Sequence, residues 1–145
     1  MQGYYKDAEK TARVLKNGWF NTEDYGSINK KGQLVINGRK KNLIVLDNGK
    51  NIYPEEIENY ILSIPYVQEV VVKAKKNKNG QEVSLLAEVF LNEEKVKEMN
   101  VENIKELLKK DIFEACKELP AYKRITEIEI RKTEFEKTTT NKIKR

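Results

Sequence analysis

Apolar residues recur at helical spacing in the middle of the chain. They occupy one face of the segment after Pro54, at Ile57, Tyr60, Ile61 and Ile64. Pro54 suits the first position of a helix, and the two glutamates that follow it favour the positive end of the helix dipole. The pattern predicts a helix that begins at Pro54 and stops at Pro65.

Two nearly continuous apolar runs come next. They are YVQEVVVKA (66–74) and EVSLLAEVFL (82–91), and the polar stretch KKNKNG lies between them. Such runs, separated by a turn-forming segment, are typical of paired strands. We expect residues 66–91 to form a hairpin of two sheet strands.

A second helical pattern occupies the segment before Pro120. With Asn100 as its N-cap, it runs to Leu119 and places apolar residues on one side. The sequence ITEIEIRK (125–132) then alternates isoleucine with glutamate, as a half-buried strand does.

The first 50 residues hold less regular patterning. Residues 1–32 show no apolar period, whereas QLVI (33–36) and NLIVLD (42–47) resemble two short strands around Asn37-Gly38, a strong turn signal. The sequence DNG (47–49) marks another tight turn. The order of elements predicts an α+β fold, in which a short β-hairpin precedes a small mixed β-sheet flanked by helices.

Composition narrows the class of protein. The 145 residues are 39% hydrophobic and 35% charged, as in a soluble globular chain of one domain or of a small domain with an appended piece. We find no membrane span or secretory signal, and the single cysteine, Cys116, fits a reducing compartment. We therefore expect a cytoplasmic location, with peripheral attachment to a membrane left open.

Charge and the missing residue types limit the chemistry. A net charge of +5 mildly favours phosphate-bearing partners, and the absence of histidine removes the commonest general base and metal ligand. Any catalytic group must therefore be Lys, Arg, Asp or Glu. The final segment KTTTNKIKR (137–145) is basic and has little to bury, so composition predicts a mobile terminus.

Four ordered motifs carry a family resemblance. They are GYYKDAEKT, GWFNTEDYG, GQLVINGRKKNLIVLDNGKNIYPEEIE and KTTTNKIKR. Together they resemble the C-terminal portion of the AMP-forming acyl-CoA synthetases, which are adenylate-forming enzymes like the luciferases and peptide-synthetase adenylation domains. The motifs GRKKNLIVL and NGKNIYPEEIE are most similar to those of long-chain fatty-acid-CoA ligases. The resemblance implies that residues 1–40 are the terminal segment of the N-terminal, adenylate-binding domain with the approach to a hinge, and that residues 41–145 are a mobile C-terminal domain.

The resemblance also implies an activity. Such ligases convert a carboxylate and ATP into an acyl-adenylate and pyrophosphate, and then form a thioester with coenzyme A. Nothing in this sequence resembles the family's phosphate loop, so ATP or AMP, coenzyme A and the acid would bind only together with the missing N-terminal domain. We expect the isolated fragment to be inactive, Mg²⁺ to be held with ATP by the absent domain, and no metal site, nucleic-acid partner or transmembrane segment in this chain.

Individual roles follow residue by residue from the resemblance. Lys142 matches the catalytic lysine of adenylation, which would bridge the carboxylate and the α-phosphate. Asp24 matches the aspartate that binds the ribose hydroxyls, and Arg39 the arginine that reaches the ribose or phosphates. Glu23 and Asn141 stand where the family usually has glycine; asparagine tolerates a positive φ well, but glutamate does not.

The remaining matches concern domain movement and coenzyme A. Lys41 matches the hinge position, where a permissive backbone matters more than charge. Gly49 would lie beside the pantetheine arm, flanked by Lys50 and Asn51. Each of these residues could equally be an ordinary turn or surface residue.

A different class of function remains open at this stage. A small basic α/β module could bind nucleic acid or act as an interaction domain. The basic residues, however, sit in turns and in the tail, and no strand combines aromatic and basic residues on one face.

Overall fold

The computed structural model describes all of residues 1–145, which divide into two compact units. The first unit is Met1–Asn42 and the second is Leu43–Arg145. No helix in either unit has the length and apolar character needed to cross a bilayer.

The first unit is more regular than its sequence suggests. It contains helix α1 (Ala8–Val14), the short pair β1 (Leu15–Lys16) and β2 (Trp19–Phe20), and the hairpin of β3 (Asp24–Ile28) and β4 (Leu34–Arg39). The Asp7 carboxylate accepts a hydrogen bond from the Lys10 N–H and caps α1. Residues 1–32 thus form regular elements although their sequence has no apolar period.

The short N-terminal hairpin exists, but its strands differ from those predicted. Asn37-Gly38 does not form the turn: both residues lie within β4, at an irregularity in its pairing with β3. The chain reverses instead over residues 29–33, where the Asn29 side chain accepts hydrogen bonds from the N–H groups of Lys31 and Gln33. An asparagine that bonds its own loop competes successfully with the Asn-Gly signal.

The second unit contains the main sheet. Its elements are β5 (Ile44–Val45), β6 (Asn51–Ile52), α2 (Pro54–Leu62), β7 (Val67–Lys76), β8 (Glu82–Leu91), α3 (Glu93–Met99), α4 (Ile104–Ala115) and β9 (Ile125–Arg131). In the order β7-β8-β9, the first pair is antiparallel and the second is parallel. The predicted α+β class, with a small mixed sheet flanked by helices, is confirmed, as is the hairpin over residues 66–91.

The core of the second unit lies between the sheet and two helices. Helix α2 packs against β7, and α4 packs against α2 and β9. The predicted inward face of α2 is largely correct, because Ile57 and Ile61 are fully buried while Tyr60 is partly exposed. Burial of this apolar face is the main source of the unit's stability.

The second predicted helix is in fact two. Helix α3 ends at Asn100, whose φ of 48° places it in the left-handed conformation, and α4 begins after Asn103. The Asn103 side chain accepts the N–H of Glu106, so Asn103 and not Asn100 is the N-cap of α4. Asparagine favours both ends of a helix, which is why the sequence pattern merged the two.

The C-terminal segment folds into a small hairpin. Lys137 and Ile143 form an isolated antiparallel bridge, and the Thr138 N–H donates to the Lys142 carbonyl at 2.8 Å. This small hairpin has specific hydrogen bonds that composition alone does not reveal.

Candidate functional site

Asp24 and Arg39 form an ion pair at one end of the β3–β4 ladder. The strand register places them opposite each other, and Arg39 Nε lies 2.9 Å from Asp24 Oδ1. The Arg39 Nη1 also donates to the Thr22 carbonyl at 3.1 Å. Arg39 therefore lies at the end of the ladder away from the hairpin turn, with its side chain held beside Asp24.

A cavity of about 570 Å³ opens beside this pair, within the first unit. Its wall includes the cations Lys10 and Arg13 and the aromatic side chains of Tyr4 and Phe20. Carboxylate oxygens, cationic donors and aromatic faces can accept hydroxyls, attract phosphate oxygens and stack on a flat ring. The donor set suits a polar ligand that carries negative charge.

Lys10 and Arg13 were not predicted as site residues. Both lie on α1, which has no apolar period because only Val14 of this helix is buried. The signals that were present are Asp7 as an N-cap and the Glu9–Arg13 pair at i, i+4 spacing.

Glu23 adopts an unusual backbone conformation next to Asp24. Its φ is 60°, in the left-handed region that glycine occupies without steric penalty. The Glu23 carbonyl accepts the Lys40 N–H at 2.8 Å, and the Asn21 side chain accepts the Glu23 N–H. The local turn thus keeps a glycine-like conformation with a glutamate in it.

Lys41 lies in a short 3-10 turn, Lys40–Asn42, with its side chain exposed. The boundary between the two units follows directly after this turn. Its hinge role remains a prediction.

Gly49 and Lys50 lie in the tight turn between β5 and β6, and Asn51 is the first residue of β6. Gly49 has a φ of 76°, its N–H donates to the Leu46 carbonyl, and no atom lies near the place where a side chain would project. The Lys50 amine lies 5.7 Å from the centre of the Tyr122 ring. These three residues present an exposed surface of the second unit, and their proposed contact with coenzyme A remains a prediction.

Lys142 lies on the second arm of the C-terminal hairpin, directly after its turn, with its side chain exposed. The Asn141 N–H donates to the Thr138 carbonyl at 2.9 Å, and the Lys142 N–H donates to Thr138 Oγ1 at 3.2 Å. Asn141 has a φ of 60°, so asparagine does adopt the conformation expected of the glycine it replaces. The turn presents the lysine amine on an ordered backbone.

The chain offers no obvious place for a cation. No group of three or more Cys, Asp or Glu side chains is arranged to hold a metal ion. The residues present therefore do not provide a Mg²⁺ site, and no chemical step is assigned to one.

Comparison with known sequences identifies relatives for about half of the chain. The chain is 42% identical over 83 residues to indoleacetate–CoA ligase of Aromatoleum aromaticum, and this alignment covers 57% of the chain and 16% of the ligase. It is also 42% identical over 72 residues to the long-chain-fatty-acid–CoA ligase FadD13 of Mycobacterium tuberculosis, which covers 50% of this chain and 14% of the ligase. The chain thus spans less than a fifth of the length of these relatives.

Comparison with solved structures and with family models extends the similarity beyond these segments. O-succinylbenzoate coenzyme A synthetase from Bacillus subtilis, solved in complex with AMP, superposes with a TM-score of 0.75 at 25% identity, covering 99% of this chain and 26% of the synthetase. Residues 41–145 match the family model described as the AMP-binding enzyme C-terminal domain. The chain therefore belongs to the family of AMP-binding enzyme C-terminal domains.

Proposed function

We propose that this chain is the C-terminal portion of an ATP-dependent, AMP-forming acyl-CoA synthetase. In this proposal residues 1–40 complete the adenylate-binding domain and residues 41–145 form the domain that moves. The intact enzyme joins a carboxylate to AMP with release of pyrophosphate, then transfers the acyl group to coenzyme A. Family membership and the pairing of Asp24 with Arg39 beside a cavity that Lys10 and Arg13 also line carry the proposal.

The cavity chemistry supports nucleotide binding by the first unit. Asp24 offers two carboxylate oxygens to the vicinal hydroxyls of a ribose, and its ion pair with Arg39 fixes the orientation of both side chains. Lys10 and Arg13 add positive charge on the same wall, where phosphate oxygens carry negative charge.

The exposed side chains of the first unit support the proposal that this unit packs against another domain. Several of its large apolar side chains are exposed, including Trp19 (82%), Ile28 (74%) and Leu34 (70%), while only Val14 is buried among its hydrophobic residues. Ile28 and Leu34 are neighbours across β3 and β4, and adjoining exposed apolar side chains mark an interaction surface. The remainder of the adenylate-binding domain is the partner that the proposal supplies.

Lys142 is assigned to the adenylation step. Attack of a carboxylate on the α-phosphate brings two anions together, and an ammonium group between them lowers the barrier by offsetting their repulsion. Rotation at Lys41 would then remove the lysine and bring the surface of Gly49, Lys50 and Asn51 to the same centre for thioester formation.

The identity of the acid is a finer proposal. We favour a fatty acid, because the motifs around Arg39 and Gly49 are most similar to those of fatty-acid-CoA ligases and FadD13 is among the relatives. Indoleacetate–CoA ligase and O-succinylbenzoate–CoA synthetase are also similar, so the choice of acid depends on residues outside this chain. A cytoplasmic location, where ATP and coenzyme A are available, fits the proposed reaction.

A chimeric enzyme tests the proposed function. Residues 1–145 would replace the aligned segment of the B. subtilis O-succinylbenzoate–CoA synthetase, and thioester formation from O-succinylbenzoate, ATP and coenzyme A would be measured. We expect the chimera to form the thioester and the synthetase truncated before this segment to form none. A folded chimera that binds AMP but is no more active than the truncated control would contradict the proposal.

A further inference from the structure

Two carboxylates are buried in the second unit, and both contact the C-terminal segment. Glu58 on α2 and Glu69 on β7 are each only 6% exposed. A buried carboxylate destabilises a fold unless hydrogen bonds and a counter-charge replace the lost water. The partners of these two therefore indicate what their burial achieves.

Glu69 holds the chain before the turn at residues 138–141, which precedes Lys142. One of its oxygens accepts the backbone N–H of Phe135 at 2.9 Å, and the other pairs with the Lys137 amine. The side chain of Phe135 is buried, and the Arg131 guanidinium lies 4.4 Å from the centre of its ring. Hydrogen bonds to Glu69 and to Glu134 raise the pKa of Lys137, so this cation stays charged and paired.

Glu58 holds the chain after the turn. Its Oε1 accepts the N–H of Val72 on the edge strand β7 at 2.7 Å, and its Oε2 pairs with the Arg145 guanidinium. Burial raises the pKa of the Glu58 carboxyl, although the Val72 N–H and Arg145 act in the opposite direction. Burial thus disfavours the charged form of Glu58, and its contacts with the Val72 N–H and Arg145 offset this cost only in part.

Between these two anchors the hairpin has its own bonds. Lys137 and Ile143 pair across it, and the Lys144 N–H donates to the Glu136 carbonyl at 2.8 Å. The segment is therefore fixed at both ends, while the Lys142 side chain next to its turn is exposed.

We propose that Glu58 and Glu69 are positioning residues for Lys142, which hold the two arms of its hairpin so that the amine reaches the nucleotide in one orientation. This inference rests on the adenylation role proposed for Lys142. A catalytic group must lie close to its productive geometry, and a misplacement of about 1 Å can cost about 100-fold in rate. Neutralising either carboxylate would let the hairpin sample other orientations.

A purely structural role predicts something different. If the two glutamates only stabilised the unit, their loss would impair every activity of the domain to the same extent. Because Lys142 acts only in adenylation, a positioning role predicts that adenylation alone is slowed.

The test uses the chimera with Glu58→Gln or Glu69→Gln, with Glu136→Gln as the matched control. Glu136 lies in the same hairpin, but its side chain is 86% exposed and its Lys144 partner is 3.7 Å away. Acid-dependent exchange of pyrophosphate into ATP reports adenylation, and thioester formation from supplied acyl-adenylate reports the second step. We expect pyrophosphate exchange by each glutamate variant to fall by about 10- to 100-fold, while thioester formation stays within about twofold. We also expect the amide hydrogens of Thr138 and Asn141 to exchange with solvent faster than in the control.

Every outcome decides the inference. Unchanged pyrophosphate exchange in both variants, or an equal loss of both half-reactions, would overturn it. If a glutamate variant does not fold, Lys137→Gln and Arg145→Gln remove the partly exposed partners of the same pairs and must give the same selective loss. Lys142→Ala in the same assay separates the two proposals, because normal exchange in that variant would refute the adenylation role itself.

Discussion

At the scale of single residues, backbone conformation explains how this chain departs from its family resemblance. Glu23 and Asn141 both have a φ of 60° at positions where glycine is expected. Asparagine adopts this conformation at modest cost, whereas a non-glycine residue such as glutamate is strained by about 1–2 kcal/mol. The strain at Glu23 lies directly beside Asp24, so it affects the cavity next to Asp24 more than the turn before Lys142.

Glu23→Gly is expected to stabilise the β3–β4 hairpin. Removing the strained side chain gains more than the added freedom of glycine in the unfolded chain costs, with a net gain of about 0.5–1 kcal/mol. Hydrogen exchange measured by NMR should slow by about two- to fivefold for amides paired between β3 and β4. Ser27→Gly, at an extended position of β3, is the matched control and should speed exchange; slower exchange in the control or faster exchange in Glu23→Gly would refute the strain argument.

At the scale of elements, helices and strands with a strong apolar period were predicted well, whereas turns and helix ends that depend on side-chain hydrogen bonds were not. Helix α2 and the β7–β8 hairpin follow from apolar spacing that no competing signal disturbs. The failures occur where asparagine decides the outcome: Asn29 closes the first hairpin in place of Asn37-Gly38, and Asn100 ends α3 instead of starting α4. Which asparagine binds which N–H depends on tertiary placement, which a propensity cannot supply.

The candidate site shows the same division. The family resemblance made Asp24 and Arg39 candidates, and the β3–β4 register explains their contact. Lys10 and Arg13 were missed because a helix with a nearly fully exposed surface has no apolar period to detect. The anchors at Glu58 and Glu69 were also missed, since long-range pairs between distant segments have no local signature.

A hydrogen bond between α4 and the start of β7 should contribute measurably to stability. The buried Tyr66 hydroxyl donates to Asp111 Oδ2 at 2.7 Å. We expect Tyr66→Phe to lower the free energy of unfolding by about 1.5–3 kcal/mol in urea, because it leaves a charged acceptor without its donor. Tyr60→Phe, at a partly exposed position of α2, should change it by less than about 0.5 kcal/mol.

The same bond predicts a pH dependence. Burial, followed by the hydrogen bond to Asp111 and the charge of Asp111, raises the pKa of Tyr66 above its ordinary value of 10.0. The unfolded state therefore loses the proton first, so the contribution is fully present below pH 10 and is lost as the pH rises towards the folded-state pKa. The difference in stability between wild type and Tyr66→Phe should shrink above pH 10, and a difference that grew with pH would contradict the assignment.

At the scale of the whole molecule, two units are joined at a turn. The boundary follows the Lys40–Asn42 turn, and the family match begins at residue 41. Because the proposed mechanism needs one unit to present two surfaces in succession, the backbone at this turn must change conformation. The charge of Lys41 has no part in that requirement.

Substitutions at Lys41 separate backbone freedom from charge. In the chimera, Lys41→Ala should leave both half-reactions within about threefold of the unsubstituted chimera. Lys41→Pro fixes φ near −65° and should change the ratio of the adenylation and thioester rates by about tenfold or more. Equal effects of alanine and proline, measured by pyrophosphate exchange and thioester formation, would exclude a hinge at this residue.

Pyrophosphate exchange by the chimera carrying Lys142→Ala tests the adenylation role of this lysine directly. The exposed Lys144 of the same hairpin provides the matched control, Lys144→Ala. We predict that Lys142→Ala lowers exchange by about 1,000-fold while thioester formation from supplied acyl-adenylate persists, and that the control changes neither. Exchange at the normal rate without the Lys142 amine would contradict the claim that this ordered hairpin carries the adenylating lysine.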